Sequence, residues 1–287
     1  MCYKSLLRNG AVIIAATLLT LAACKRNDTT NTTPALTNAD DNGGYASDNA
    51  KMESNSSDAI SIADVATKTG GAGNLRTTET TVGGCASVYD SVSSGDSFLV
   101  INFGPTDCTC RDYKIRRGEI IVHYSGRYKD SSSIRVITFR NYFVDDNQLS
   151  GIKTVQNMGK NGSGQVYYRV TVNDTLNLGP GNGEITWSGN RTRTWLAGYG
   201  SSTWSDDKYL IGGTTTLIRA SGNSFTFAID SSNQLQVASG CPYVEAGVVT
   251  ITGTTLSTPR ILNYGTGACD ALATLTIGAH TYNITLH

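Results

Sequence analysis

Cysteine is the residue type here with the most distinctive chemistry. Besides Cys2 and Cys24, the chain holds Cys85, Cys108, Cys110, Cys241 and Cys269. Cys108-Thr109-Cys110 is tighter than a redox Cys-x-x-Cys and lacks the second ligand pair of a structural zinc site, so it predicts neither redox nor metal chemistry. Two stretches repeat a pattern. Gly84-Cys85 leads to Ile101-Asn102-Phe103-Gly104 and then Cys108, and Gly240-Cys241 leads to Leu262-Asn263-Tyr264-Gly265 and then Cys269. In an oxidising compartment this predicts one disulfide per copy, Cys85 with Cys108 and Cys241 with Cys269. Cys110 is then left over or replaces Cys108, and pairing across the copies stays open.

The other reactive types are sparse. There are three histidines, His123, His280 and His287, and none has a Ser, Cys or Asp motif around it, so a triad or metal site is poorly supplied. Nucleotide, hydrolase-elbow and zinc-protease fingerprints are missing. The Gly-rich residues 179–183 precede a strand pattern, not a helix whose N-terminus could hold phosphate. Asp145-Asp146-Asn147 and Asp206-Asp207 carry the types for calcium binding or for paired-carboxylate glycoside hydrolysis, yet they are equally ordinary turn material, and the turn reading is preferred. The expectation is therefore no catalytic residue, no metal and no cofactor. Trp187, Trp195 and Trp204, with Arg191 and Arg193 among them, are a candidate ligand platform, a stacking surface for a sugar, but the assignment to the core or to covering an edge is preferred.

Something must position these residues, and the periodicity says strands. Val166, Tyr168, Val170 and Val172 alternate with Tyr167, Arg169 and Thr171, the period of a half-buried strand. Ile120, Val122 and Tyr124 alternate likewise, as do Phe225, Phe227 and Ile229, and Tyr282, Ile284 and Leu286. Gly162-Ser163-Gly164 and Ser221-Gly222-Asn223 supply turns between runs. Residues 84–287 are thus expected to form an all-β domain, an antiparallel meander or two-sheet sandwich, with a barrel as the less favoured closure. A transmembrane barrel would need longer strands with an apolar outer face than these Thr- and Ser-rich runs supply. Basic and acidic residues number 23 each, so net charge is zero and no nucleic-acid footprint appears.

The N-terminus reads as an address. Lys4 and Arg8 precede an apolar run, residues 11–20, too short for a permanent span, and Leu21-Ala22-Ala23-Cys24 closes it. That tetrapeptide resembles the lipobox of bacterial lipoproteins, which implies removal of residues 1–23 and acylation of Cys24. Residues 24–83 are rich in Thr, Asn, Ser, Asp and Gly with Tyr45 as the one aromatic, so they are expected to stay a disordered tether, residues 60–66 offering at most a transient local element.

Residues 102–112, Arg116-Arg117-Gly118-Glu119, residues 141–147, Thr186-Trp187 and Cys269-Asp270 together resemble a group of envelope lipoproteins of the Bacteroidetes for which no activity is known. The resemblance spans the β domain and implies an outer-membrane lipoprotein, with the facing side of the membrane open. Asp174-Thr175-Leu176 and Asp90-Ser91-Val92 are similar to the short O-glycosylation sequon of that phylum. The expected function is non-enzymatic binding of carbohydrate or another envelope component, the membrane being contacted through the lipid. The alternative is an assembly subunit that pairs through a strand edge, and a hydrolase using Asp145, Asp146, Asp206 or Asp207 is the least favoured.

Overall fold

The computed structural model describes residues 43–68, 85–93, 96–126, 128–201 and 205–286, with the side chains of residues 67, 68 and 90–97 left aside. The described chain begins with a helix, α1 (Gly44–Lys68), followed by strands β1 (Ser87–Ser93), β2 (Asp96–Asn102), β3 (Cys108–Thr109), β4 (Ile115–Tyr124), β5 (Ile134–Val144), β6 (Asn147–Lys160), β7 (Val166–Asn177) and β8 (Glu184–Ala197). There follow β9 (Lys208–Ile218), β10 (Ser224–Ile229), β11 (Leu235–Ala238), β12 (Val244–Gly253), β13 (Arg260–Thr266), β14 (Leu272–Ile277) and β15 (His280–Thr285).

The strands make one antiparallel sheet in the order β1-β2-β4-β5-β6-β7-β8-β9-β10-β12-β13-β14-β15, with β3 on β4 and β11 between β9 and β12. Nearly every neighbour in space is the next strand in sequence, because each hairpin needs only the short Gly- and Asn-rich turns the sequence supplies. The expected all-β meander is what forms, as one continuous sheet. Burial alternates along β7, with Val166, Tyr168, Val170, Val172 and Leu176 inward. At Gly118, φ +85° lets β4 shift register against β5; a Cβ there would lie 1.9 Å from the Asn141 carbonyl oxygen, so no other residue fits.

Helix α1 corrects the expected tether over part of its length: Gly44–Lys68 is helical and enclosed. From Gly43 to Ala66 no residue is exposed. It touches β2, β4, β5 and β12, Tyr45 stacks on Phe225 of β10 at 4.8 Å, and Trp187 of β8 donates its indole N–H to Asn49 Oδ1 at 3.1 Å. The sheet therefore curls around the helix, and the core is the surface between them, with Met52, Ile60, Ile62 and Ala63 meeting inward residues such as Leu99, Ile101, Ile120, Ile137 and Leu262. Each large side chain buried there stabilises the fold by about 1.5–3 kcal/mol.

Polar helix residues are satisfied by cations from the sheet wall. Arg219 Nε pairs with Asp48 at 2.8 Å, Arg191 with Glu53, and Arg116 Nη2 with Asp58 at 2.5 Å. Arg193 donates to the hydroxyls of Ser57 at 3.0 Å and Ser61 at 3.1 Å. A Ser-, Asn- and Asp-rich segment of weak helix propensity is helical here because the strands supply its partners. Among the described residues no helix is long and apolar enough to cross a membrane.

Candidate functional site

The two cysteine loops form as the sequence predicts, with Cys85 bonded to Cys108 and Cys241 to Cys269. The loops they tie down are the two lips of one cleft. On the first lip, Cys110 N–H donates to Lys114 O and Tyr113 N–H to Cys110 O, closing a tight turn between β3 and β4. That turn holds Tyr113 at φ +64° and 88% exposed. A bulky non-glycine residue in the left-handed region is a conformational outlier, and such strain is concentrated at functional sites. On the second lip, Cys241-Pro242-Tyr243 leads into β12 and leaves Tyr243 41% exposed. The Cys241–Cys269 bridge brings Asp270 beside it.

Between the lips lies a cleft of about 280 Å³, at the small end of ligand sites. Its floor is one face of α1, residues Ala50, Lys51, Ser54 and Asn55, and its rim carries Asp112, Tyr113, Lys114, Asp145, Tyr243 and Asp270. The floor is fastened to both lips: Ser54 Oγ donates to Pro242 O at 2.7 Å and accepts from Lys114 Nζ at 3.2 Å. Beneath, Arg116 forks onto Asp112, Nη1 to Oδ1 at 2.7 Å and Nη2 to Oδ2 at 2.6 Å, while Nη2 also reaches Asp58. Burial alone would raise the Asp58 carboxyl, but Arg116 and Lys114 hold it below the ordinary carboxylate range. Arg116 remains charged in its turn, its burial outweighed by Asp58 and Asp112.

Two rim carboxylates are half engaged. Asp145 Oδ1 accepts from Ile115 N–H at 2.9 Å and Asp270 Oδ1 from Leu272 N–H at 2.8 Å, leaving each a second oxygen at the rim. Exposed aromatic rings, carboxylate acceptors and an amide around a shallow cleft can hold a polyhydroxylated ring by stacking and by hydroxyl hydrogen bonds.

Trp187 and Trp195 take the core assignment and form no exposed platform. Trp187 is 1% exposed and bound to Asn49, and Trp195 is 3% exposed, packed among Tyr128, Tyr168, Tyr199 and Tyr209. Both belong to the core, because α1 fills the concave side of β8 towards which their side chains point; Trp204 lies outside the described residues. Asp145 and Asp146, with φ +49° and +61°, are the two central residues of the β5–β6 hairpin turn. Asp207 is buried and accepts from Tyr209 OH at 3.4 Å, while Asp206 accepts from Ser201. The two aspartate pairs sit on separate turns. His123 and His280 are exposed, His287 and Cys24 lie outside the described residues, and no group of three His, Cys, Asp or Glu able to hold a metal occurs among the described residues.

Cys110 is the spare cysteine, buried, with burial pushing its thiol above the ordinary range against the pull of Arg116. It stays protonated at neutral pH and a poor nucleophile. The sequon-like Asp174-Thr175-Leu176 lies within β7. Asp174 is buried against Lys153, and Thr175 sits inside β7, paired with Ser150 and Thr186.

Tyr113 and Tyr243 escaped the sequence reading, for nothing in their types marks them. The available signal was their position shortly after Cys108 and Cys241 of the repeated pattern. A wider groove of about 490 Å³ runs over Arg117, Gly118, Glu119, Arg140 and Phe143, but its cations are already committed: Arg117 to Asp107 and Asp146, and Arg140 to Glu119. No protein-family model, curated protein or solved structure matches the chain.

Proposed function

We propose that this protein is a lipid-anchored lipoprotein of the bacterial envelope that binds carbohydrate without turning it over, and that the cleft between Tyr113 and Tyr243 is its binding site. The signal-peptide pattern ending at Cys24 and the resemblance to Bacteroidetes lipoproteins support the anchoring and the outer-membrane location. Acylation at more than one position on Cys24 would give stable attachment. The observation that carries the binding reading is Tyr113, a large ring held in a left-handed conformation and almost wholly exposed beside a cleft lined by carboxylates and an amide. An exposed ring in a strained conformation contributes nothing to the core, so its use lies outside the fold.

The test is a glycan-array and polysaccharide-pulldown screen of residues 25–287, with Tyr113→Ala and Tyr243→Ala beside it. Specific binding that falls at least about tenfold in either variant, equivalent to about 1.4 kcal/mol, is expected. Failure to bind any glycan overturns the reading in favour of assembly through the edge strands β1 and β15, and binding unchanged in both variants moves the site elsewhere. In cells, Cys24→Ala is expected to release the protein from the membrane fraction, and an unchanged fraction contradicts the anchor.

A further inference from the structure

Two groups on the cleft floor have no side-chain partner among the described residues. Lys51 and Asn55 stand at i and i+4 of α1 and so share one helix face, the face that lines the cleft. Asn55 is 8% exposed and lines the cleft, and no side-chain hydrogen bond holds its amide among the described residues. Lys51 forms no ion pair among the described residues, whereas Asp48, Glu53 and Asp58 on the same helix are paired with Arg219, Arg191 and Arg116. The neighbouring cations Lys114 and Arg116 are committed to Ser54, Asp58 and Asp112. An uncommitted ammonium and an uncommitted amide therefore share the floor, below a rim of acceptor carboxylates and two aromatic rings.

We infer that the cleft takes an acidic sugar unit, a uronate or other carboxylated monosaccharide, whose carboxylate meets Lys51 and Asn55 on the floor. Its hydroxyls donate to the second oxygens of Asp145 and Asp270, and a ring face lies against Tyr113 or Tyr243. Each part of such a ligand finds its complement: an anion on a cation, hydroxyl donors on acceptors, and C–H faces on aromatic rings. A neutral sugar would leave Lys51 without a counter-charge. This inference deepens the carbohydrate reading and rests on it.

The experiment measures binding of residues 25–287 to oligogalacturonate and to the neutral oligogalactose of equal length. Lys51→Met, which keeps an apolar stem and helix propensity, and Lys51→Arg, which keeps the charge, are measured in parallel, with thermal melts to establish folding. The expected result is at least tenfold tighter binding of the uronate. Lys51→Met should abolish that preference by weakening uronate binding at least tenfold more than neutral-sugar binding, and Lys51→Arg should retain it. Equal binding of the two sugars, or equal loss of both in folded Lys51→Met, overturns the acidic-sugar inference while the carbohydrate reading stands. If no sugar on a full glycan array binds, both fall together.

Discussion

At the scale of single residues, the cleft shows how far side-chain identity differs from side-chain use. Tryptophan is the obvious stacking residue, yet Trp187 and Trp195 are consumed by the core, and the exposed rings are tyrosines in cysteine-tied turns. The difference is decided by backbone conformation and by what covers a strand face, and neither is written in residue type. Tyr113 makes this testable. Because its φ of +64° is a conformation that glycine adopts without cost, Tyr113→Gly removes local strain along with the ring. The left-handed conformation costs an ordinary residue about 1–2 kcal/mol. Tyr113→Gly is therefore expected to leave the unfolding free energy within about 1 kcal/mol of wild type, or above it, while weakening glycan binding as strongly as Tyr113→Ala. Urea unfolding decides the point: a marked loss of stability would make Tyr113 a packing residue after all.

At the scale of elements, strands and helix were unequally legible. Strands β7, β10 and β15 announce themselves because one face is wet and the other dry, so alternation survives in the sequence. Helix α1 does not, because a helix enclosed on every side has no single apolar stripe, and its polar residues face arginines brought from strands 50 to 170 residues distant in the chain. Composition alone then resembles a tether. What marks the segment in retrospect is its spaced acids, Asp48, Glu53, Asp58 and Asp64, matched by inward arginines in strands of otherwise ordinary pattern. The Asp58 pair sets a pH dependence. Its folded carboxyl titrates below the unfolded value of 3.8, so its contribution is present above pH 4 and is lost as pH falls further. Asp58→Asn is expected to cost about 3 kcal/mol at pH 7, the low end for a broken buried pair because Asp112 stays on Arg116. The difference from wild type should shrink as pH falls from 4 towards 2.5. A difference that does not change with pH in urea titrations would show that Asp58 is not ionised in the fold.

At the scale of the whole molecule, the core is not a contact between two sheets but between one sheet and one helix, which ties the domain boundary to the N-terminal side of the chain. Inward residues from β2 through β14, including Leu99, Ile137, Trp187, Phe225 and Leu275, are buried on the side that α1 occupies. Without residues 44–68 they would face water together with Arg116, Arg191 and Arg193, each of which has an acceptor on the helix. The loss is both apolar and ionic, and a single cooperative unit does not survive losing one wall of its core. A chain beginning at residue 84, the boundary that composition suggests, is therefore expected to lack a cooperative thermal transition and near-ultraviolet circular dichroism. A chain beginning at residue 41 should show both. The cleft belongs to the same unit, since its floor is helix and its lips are sheet, so the shorter chain should also bind no glycan that the longer one binds. A cooperative melt of residues 84–287 within a few degrees of the longer chain would mean that the sheet closes without its helix, and that α1 is a guest in the fold and not its core.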